Sequence, residues 1–179
     1  MKINKTFIEG LLIIEPQLFK DDRGFFYESY NKNNLDKVIN IVFVQDNESK
    51  SNRGVIRGLH FQAPPYAQDK LVRVIKGSVL DVVVDIRAES ETYGEHFAIV
   101  LDALSHNMLW IPKGMAHGFL SLEDNTVFSY KCSEYYHPEV EGCILWNDKD
   151  LNINWNIKNP IVSEKDKVGQ PFNQFITRF

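Results

Sequence analysis

The sequence predicts a mainly β fold, with antiparallel sheets closed into a barrel or stacked as a jelly-roll sandwich. Three observations lead there. Short runs rich in Val, Ile, Phe and Tyr follow one another, cut by Gly, Pro, Asn and Asp turns. Little before Trp155 carries the apolar spacing of a long helix. Twelve Phe, seven Tyr and three Trp supply the bulk that fills the space between sheets.

Taken in order, residues 11–18 and 24–30 read as early strands, the second after the turn Asp21-Asp22-Arg23-Gly24. Residues 33–39 read as one short helix with an Asn available to cap it. Residues 41–47 and 55–62 follow as strands. Residues 71–75 and 79–86 are joined by Lys76-Gly77-Ser78, a hairpin turn. Residues 96–101 and 108–111 precede the turn Pro112-Lys113-Gly114. Residues 118–122 and 126–132 flank the turn Glu123-Asp124-Asn125. The C-terminal stretch 163–179 reads as irregular or weakly helical.

A chain of 179 residues is most simply one domain with a substantial core. The net charge of −4 argues against nucleic acid as the main partner. Cys132 and Cys143 form neither a CxxC pair nor a disulfide framework. Cys132, in an apolar run, reads as a small core residue. The N-terminus lacks a secretory apolar region, and no apolar run approaches the roughly 18 residues that cross a membrane. The expectation is a cytoplasmic protein with no membrane partner.

The chemistry concentrates in Arg57-Gly58-Leu59-His60-Phe61-Gln62, followed by Lys70. A guanidinium binds two phosphate oxygens at once. An imidazole moves protons near neutral pH. An ammonium in a pocket stabilises an oxyanion. Together they point to proton chemistry on a phosphate-bearing substrate, although each alone reads more readily as surface charge or a satisfied core group. Alternation along 126–132 puts Phe128, Tyr130 and Cys132 on one face and Ser129 and Lys131 on the other. The first is the apolar face, so Tyr130 points inward. The same rule puts Arg57 and His60 on opposite faces, and both enter one cavity only if the strand bulges, with Gly58 the place for it.

Several segments resemble the dTDP-4-dehydrorhamnose 3,5-epimerase family. They are Asp22-Arg23-Gly24-Phe25-Phe26-Tyr27-Glu28-Ser29, Phe43-Val44-Gln45-Asp46-Asn47, and Gly54 through Gln62. Further matches are Lys70-Leu71-Val72-Arg73, Val83-Val84-Asp85-Ile86-Arg87, Trp110 through Phe119 and Tyr130-Lys131. Glu141-Gly142, Trp146-Asn147-Asp148 and Ser163-Glu164-Lys165-Asp166 complete the set, in the family's order. The resemblance implies a cupin-like jelly-roll barrel that forms a homodimer and needs no cofactor or metal. It implies inversion at C3 and C5 of dTDP-4-dehydro-6-deoxy-D-glucose, giving dTDP-4-dehydro-L-rhamnose. Both carbons flank the C4 carbonyl, so their protons are acidic. By resemblance His60 is the base, Asp166 its partner, Tyr130 the acid on the opposite face and Lys70 the stabiliser of charge at O4. Arg23 and Arg57 match diphosphate contacts, and His117, Glu141 and Lys165 match further substrate contacts. Glu28, Gln45, Asp46 and Asn47 match the polar contacts to the nucleoside. Tyr136 matches the aromatic that stacks on thymine, with Phe26 a second apolar wall.

Relatives that invert only C3 or only C5 share most of this set, so both remain alternatives. A metal-dependent cupin is the rival from another class. Residues 112–117 resemble the second cupin motif, but Gln62 stands where the first motif needs its second His. His96, His106 and His137 have no assigned role and read as solvated loop positions.

Overall fold

The computed structural model describes all 179 residues. One sheet is built from β1 (Lys2–Lys5), β2 (Leu12–Glu15), β10 (Met108–Ile111), β7 (Lys70–Lys76), β12 (Thr126–Cys132) and β5 (Gln45–Ser51), in that spatial order. The second has the order β13 (Glu141–Cys143), β6 (Val55–Gln62), β11 (Met115–Ser121), β8 (Ser78–Asp85) and β9 (His96–Asp102), with β14 (Ile161–Val162) parallel to β6. A detached hairpin joins β3 (Phe19–Asp21) to β4 (Gly24–Phe26). Helices are two short pieces, α1 (Lys32–Leu35) and α2 (Glu164–Lys167), besides 3-10 turns at Pro138–Val140 and Phe172–Gln174.

The inner faces of the two sheets close on each other. Val72, Val74, Leu109, Ile111 and Phe128 from the first meet Val79, Val83, Leu101, Met115 and Phe119 from the second. Each such side chain, fully buried, contributes about 1.5–3 kcal/mol. The outer face of the second sheet is covered by Ile144, Leu151 and Trp155, which pack on Ile56, Leu59, Val82 and Val84. The outer face of the first carries Leu71, Met108 and Trp110 under Leu35 of α1. Apolar packing thus fills most of the space between the sheets, and polar inward positions that interrupt it line a cavity.

The predicted fold class holds, and several boundaries move for identifiable reasons. The strand expected at 41–47 lies at Gln45–Ser51. Its seven residues are all polar, because their inward face lines the cavity, and apolar Ile41 and Phe43 pack beneath α1 instead. The second early strand stops at Phe26, and the first shortens to Leu12–Glu15. β1 was not anticipated, since its Lys-Ile-Asn-Lys sequence gives no apolar run. β11 starts three residues earlier than expected, at Met115. The helix lies at Lys32–Leu35, with the Asn31 side chain accepting from the Asn34 N–H. The C-terminal region is short-helical and irregular, as expected.

The histidines depart furthest from expectation. His106 is buried, its ring centroid 4.4 Å from Phe25 and 4.8 Å from Tyr27, where it supports the base of the β3–β4 hairpin. His137 stacks on Tyr66 at 3.7 Å and pairs with Glu139, and His96 opens β9. Aromatic contacts took up rings that their polar neighbours suggested would be solvated.

Candidate active site

A cavity of about 550 Å³ opens between the two sheets. Regular alternation delivers most of its groups. On β7, Lys70 shares the inward face with Val72 and Val74. On β12, Tyr130 shares it with Phe128 and Cys132, as the sequence predicts. On β11, His117 lies between inward Met115 and Phe119.

β6 departs from alternation where the sequence requires it. His117 lies opposite His60 and Phe119 opposite Arg57, so three steps along β6 face two along β11. The extra residue is a bulge, and it turns Arg57 and His60 to the same side. Gly58 makes this feasible. Its φ is +129°, and a Cβ there would stand 2.5 Å from the Gly118 Cα. Gly118 reciprocates, because a Cβ on it would meet the Arg57 carbonyl at 2.7 Å. The tension between Arg57 and His60 is resolved by a close approach of two glycines on neighbouring strands.

The bulge also seats the partner of His60. Asp166 is buried on α2, with Oδ1 2.7 Å from His60 Nε2 and Oδ2 accepting from the Gly58 N–H at 3.2 Å. Its own N–H donates to Ser163 Oγ, the cap of that short helix. Burial alone would raise the Asp166 carboxyl, but the His60 hydrogen bond, with Gly58 and Ser163, holds it below the usual range. An ionised Asp166 therefore accepts the Nε2 proton, which leaves His60 Nδ1 as the basic nitrogen.

Two further groups have displaced proton affinities. Burial pushes the Lys70 ammonium down, opposed by Cys132, Glu141 and Asp81. Burial pushes the Tyr130 hydroxyl up, so it keeps its proton and can donate it. His60 and His117 come from one sheet, and Lys70 and Tyr130 from the other. A ligand between the sheets is met by imidazole on one side and phenol and ammonium on the other.

Arg57 lines the same cavity, its Nε donating to Ser51 Oγ at 3.1 Å. Towards the rim, Glu141 Oε2 accepts from Tyr136 Oη at 2.7 Å and from the Lys165 ammonium. Burial opposes ionisation of Glu141, but Lys165 and Tyr136 hold its carboxyl below the ordinary value. Gln45 Nε2 donates to Asn47 Oδ1, and Gln45 Oε1 accepts from the Tyr136 N–H. These groups line a smaller recess that shares His60, Lys70 and Tyr130 with the main cavity.

Four predicted contacts are not brought together with these. Asp46 points outward from β5 to an ion pair with Lys131 at 2.8 Å, because alternation opposes it to Gln45 and Asn47. Arg23 and Phe26 sit on the β3–β4 hairpin. Phe26 is 64% exposed, and Arg23 forms an exposed pair with Asp21. Glu28 accepts from the Asn31 and Asn34 side chains beside a separate recess under α1.

Two groups at the cavity, one lining it and one buried behind His117, escaped the sequence reading. Asp81 is fully buried, with both carboxylate oxygens 3.0 Å from His117 Nε2. A single acid at the inward position of the run Val79-Leu80-Asp81-Val82-Val83 was the available signal. Ser49 presents a buried hydroxyl without a partner to the cavity, and a serine in a polar strand gives no signal.

The cupin metal set does not assemble. The Gln62 amide donates to the Tyr66 and Tyr135 carbonyls and accepts from the His137 N–H, while His117 Nε2 is engaged by Asp81. No helix is long and apolar enough to cross a membrane.

Comparison with known proteins places these residues in a family setting. Residues 5–174 match the family model described as dTDP-4-dehydrorhamnose 3,5-epimerase. A protein of that name from Shigella flexneri is 49% identical over 174 residues, covering 96% of each chain. The crystal structure of the Bacillus anthracis protein of that name, with TDP and pyrophosphate bound, is 45% identical with a TM-score of 0.94, covering 96% of this chain and 99% of that one. A 3,5-epimerase structure from Legionella pneumophila in complex with dTDP-4-keto-L-rhamnose is 43% identical with a TM-score of 0.93, covering 98% and 94%.

Proposed function

The chain belongs to the dTDP-4-dehydrorhamnose 3,5-epimerase family, and from that premise we propose how its residues perform the isomerisation. The enzyme is an isomerase that inverts C3 and C5 of a dTDP-linked 4-keto-6-deoxy sugar in rhamnose biosynthesis. Inversion removes a proton from one face of the ring and returns one to the other. The observation that carries the assignment is the placement of the Asp166-paired His60 and the protonated Tyr130 on opposed sheets across one cavity.

His60 takes the proton next to the carbonyl, with Asp166 stabilising the imidazolium that forms. Lys70 donates to the C4 oxygen as negative charge develops there. An ammonium weakened by burial gains most from an anion arriving beside it, so its hydrogen bond strengthens toward the enolate. Tyr130 then delivers its proton from the other side. His117, held by Asp81, and the unpartnered Ser49 hydroxyl offer further polar contacts, and Arg57 takes diphosphate oxygens. Gln45, Asn47, Tyr136, Glu141 and Lys165 form the rim that receives the rest of the nucleotide.

In deuterium oxide containing a strong chelator, dTDP-4-keto-6-deoxyglucose is expected to gain deuterium at C3 and C5 and to yield the L-rhamno product, followed by proton NMR. Exchange at one carbon alone would assign a mono-epimerase. Turnover that stops under chelation and returns with added metal would overturn the proton-only mechanism.

The reading includes a homodimer, which gives the β3–β4 hairpin a use. Phe19, Phe25 and Phe26 are all more than half exposed beside Arg23, an arrangement that suits a hairpin reaching a second copy's cavity. Complementation tests this. His60→Ala and the Arg23→Ala/Phe26→Ala double variant, each impaired alone, are expected on random mixing to recover up to about a quarter of the parent activity, since half the dimers then hold one intact site. No recovery would mean that each hairpin serves its own chain. The reading also takes the protein as cytoplasmic and residues 1–179 as one domain.

A further inference from the structure

His60 and Asp166 have a third neighbour that the proton chemistry leaves unused. β13 runs antiparallel to β6 with Cys143 opposite His60. Cross-strand partners project their side chains to one face, with Cβ atoms about 5 Å apart. The Cys143 Sγ, a His60 ring nitrogen and an Asp166 carboxylate oxygen all lie within 4.8 Å of one another. Thiolate, imidazole and carboxylate are the donors that Zn²⁺ and Cd²⁺ take, and sulfur selects against Mg²⁺ and Ca²⁺.

We propose that Cys143, His60 and Asp166 form a binding site for a thiophilic divalent cation, and that its occupation inhibits the epimerase by engaging the base. Three features support this. The thiolate and the carboxylate cancel the charge of a divalent ion, so the partly buried position imposes no net charge. Two of the three donors are already positioned, His60 by β6 and Asp166 by Gly58 and Ser163. The movement needed is small. Nitrogen and oxygen ligands around tetrahedral zinc stand about 3.3 Å apart, given bonds of roughly 2.0 Å, so the 2.7 Å His60–Asp166 contact must open by about 0.6 Å. The buried His117–Asp81 pair, in contrast, belongs to no such three-donor group.

Protons balance in the binding step. Cys143 releases its S–H proton to solvent as the Sγ–metal bond forms. If His60 binds through the nitrogen that faces Asp166, that proton moves to Nδ1, and if it binds through Nδ1 the metal takes that lone pair, so the imidazole stays neutral and its basic nitrogen is lost either way. No electron transfer is involved. A metal-bound His60 cannot accept a proton from carbon, so substrate turnover stops. Only this inhibitory half rests on the proposed role of His60.

The experiment is a Cd²⁺ titration of the purified enzyme, read by ultraviolet thiolate-to-cadmium absorption and by epimerase rate. One equivalent is expected to produce the band and to abolish turnover, with a chelator reversing both and Mg²⁺ producing neither. Cys143→Ala is expected to keep the basal rate, lose the band and need at least about tenfold more Cd²⁺ for inhibition. A band that survives in Cys143→Ala, or no band in the parent, would overturn the site. A Cys143-dependent band without loss of rate would overturn the inhibition. The absorption reads metal binding whatever the substrate, so failure of the site is distinguishable from failure of the epimerase reading.

Discussion

His60→Ala is expected to lower the epimerisation rate by about 10²–10⁴-fold, the usual contribution of a positioned general base. Nucleotide binding through Arg57 and the rim should survive. The expectation follows from geometry. Asp166 engages Nε2 at 2.7 Å, so Nδ1 is the free basic nitrogen of a half-exposed imidazole lining the cavity. Removing the ring also leaves Asp166 buried without its main partner, at a cost of about 1–3 kcal/mol. His60→Asn, which can still donate to Asp166, separates the two effects. It should restore stability to thermal unfolding without restoring turnover. The decisive readout is solvent deuterium at C3 and C5, and near-normal incorporation in both variants would assign the base elsewhere.

Tyr130→Phe is expected to uncouple exchange from inversion. Phenylalanine keeps the ring and its packing near Phe128, 6.1 Å away between centroids, and removes only the donor. Burial raises the Tyr130 hydroxyl above its ordinary value, so in the parent it is protonated at neutral pH. In the variant His60 still forms the enolate, held by Lys70, and returns the proton on the face from which it came. Substrate should gain deuterium with its configuration retained, while inverted product falls by about 10²–10⁴-fold. Inverted product at close to the parent rate would mean that another group is the acid. Loss of exchange together with inversion, with nucleotide binding intact, would mean that Tyr130 also helps to form the enolate.

These two residues show how unevenly the site was legible. Tyr130 was placed inward by alternation alone, because β12 is regular and its Phe128 and Cys132 mark the core face. His60 was named as a proton-transfer group from its type and neighbours. Its coexistence with Arg57 contradicted alternation, and its partner Asp166 came only from family resemblance. The two stand 106 residues apart in sequence, and no local pattern connects them. Asp81 was locally visible as an acid on an apolar inward face and was overlooked. Ser49 and the true span of β5 were not visible, because a strand facing a polar cavity has no apolar period to detect.

Legible in the sequence alone were the succession of strands, the residue types available for proton transfer, and the inward face of β12. These follow from the period-two geometry of an extended chain, which acts over a few residues. Tertiary structure decided the bulge at Gly58, the pairing of Asp166 with His60, the outward turn of Asp46 and the distance of the β3–β4 hairpin from the cavity. Each depends on which strands become neighbours. The Gly58–Gly118 approach exists only once β6 lies against β11, and it shifts the side-chain period by one residue at the place where the base must point inward.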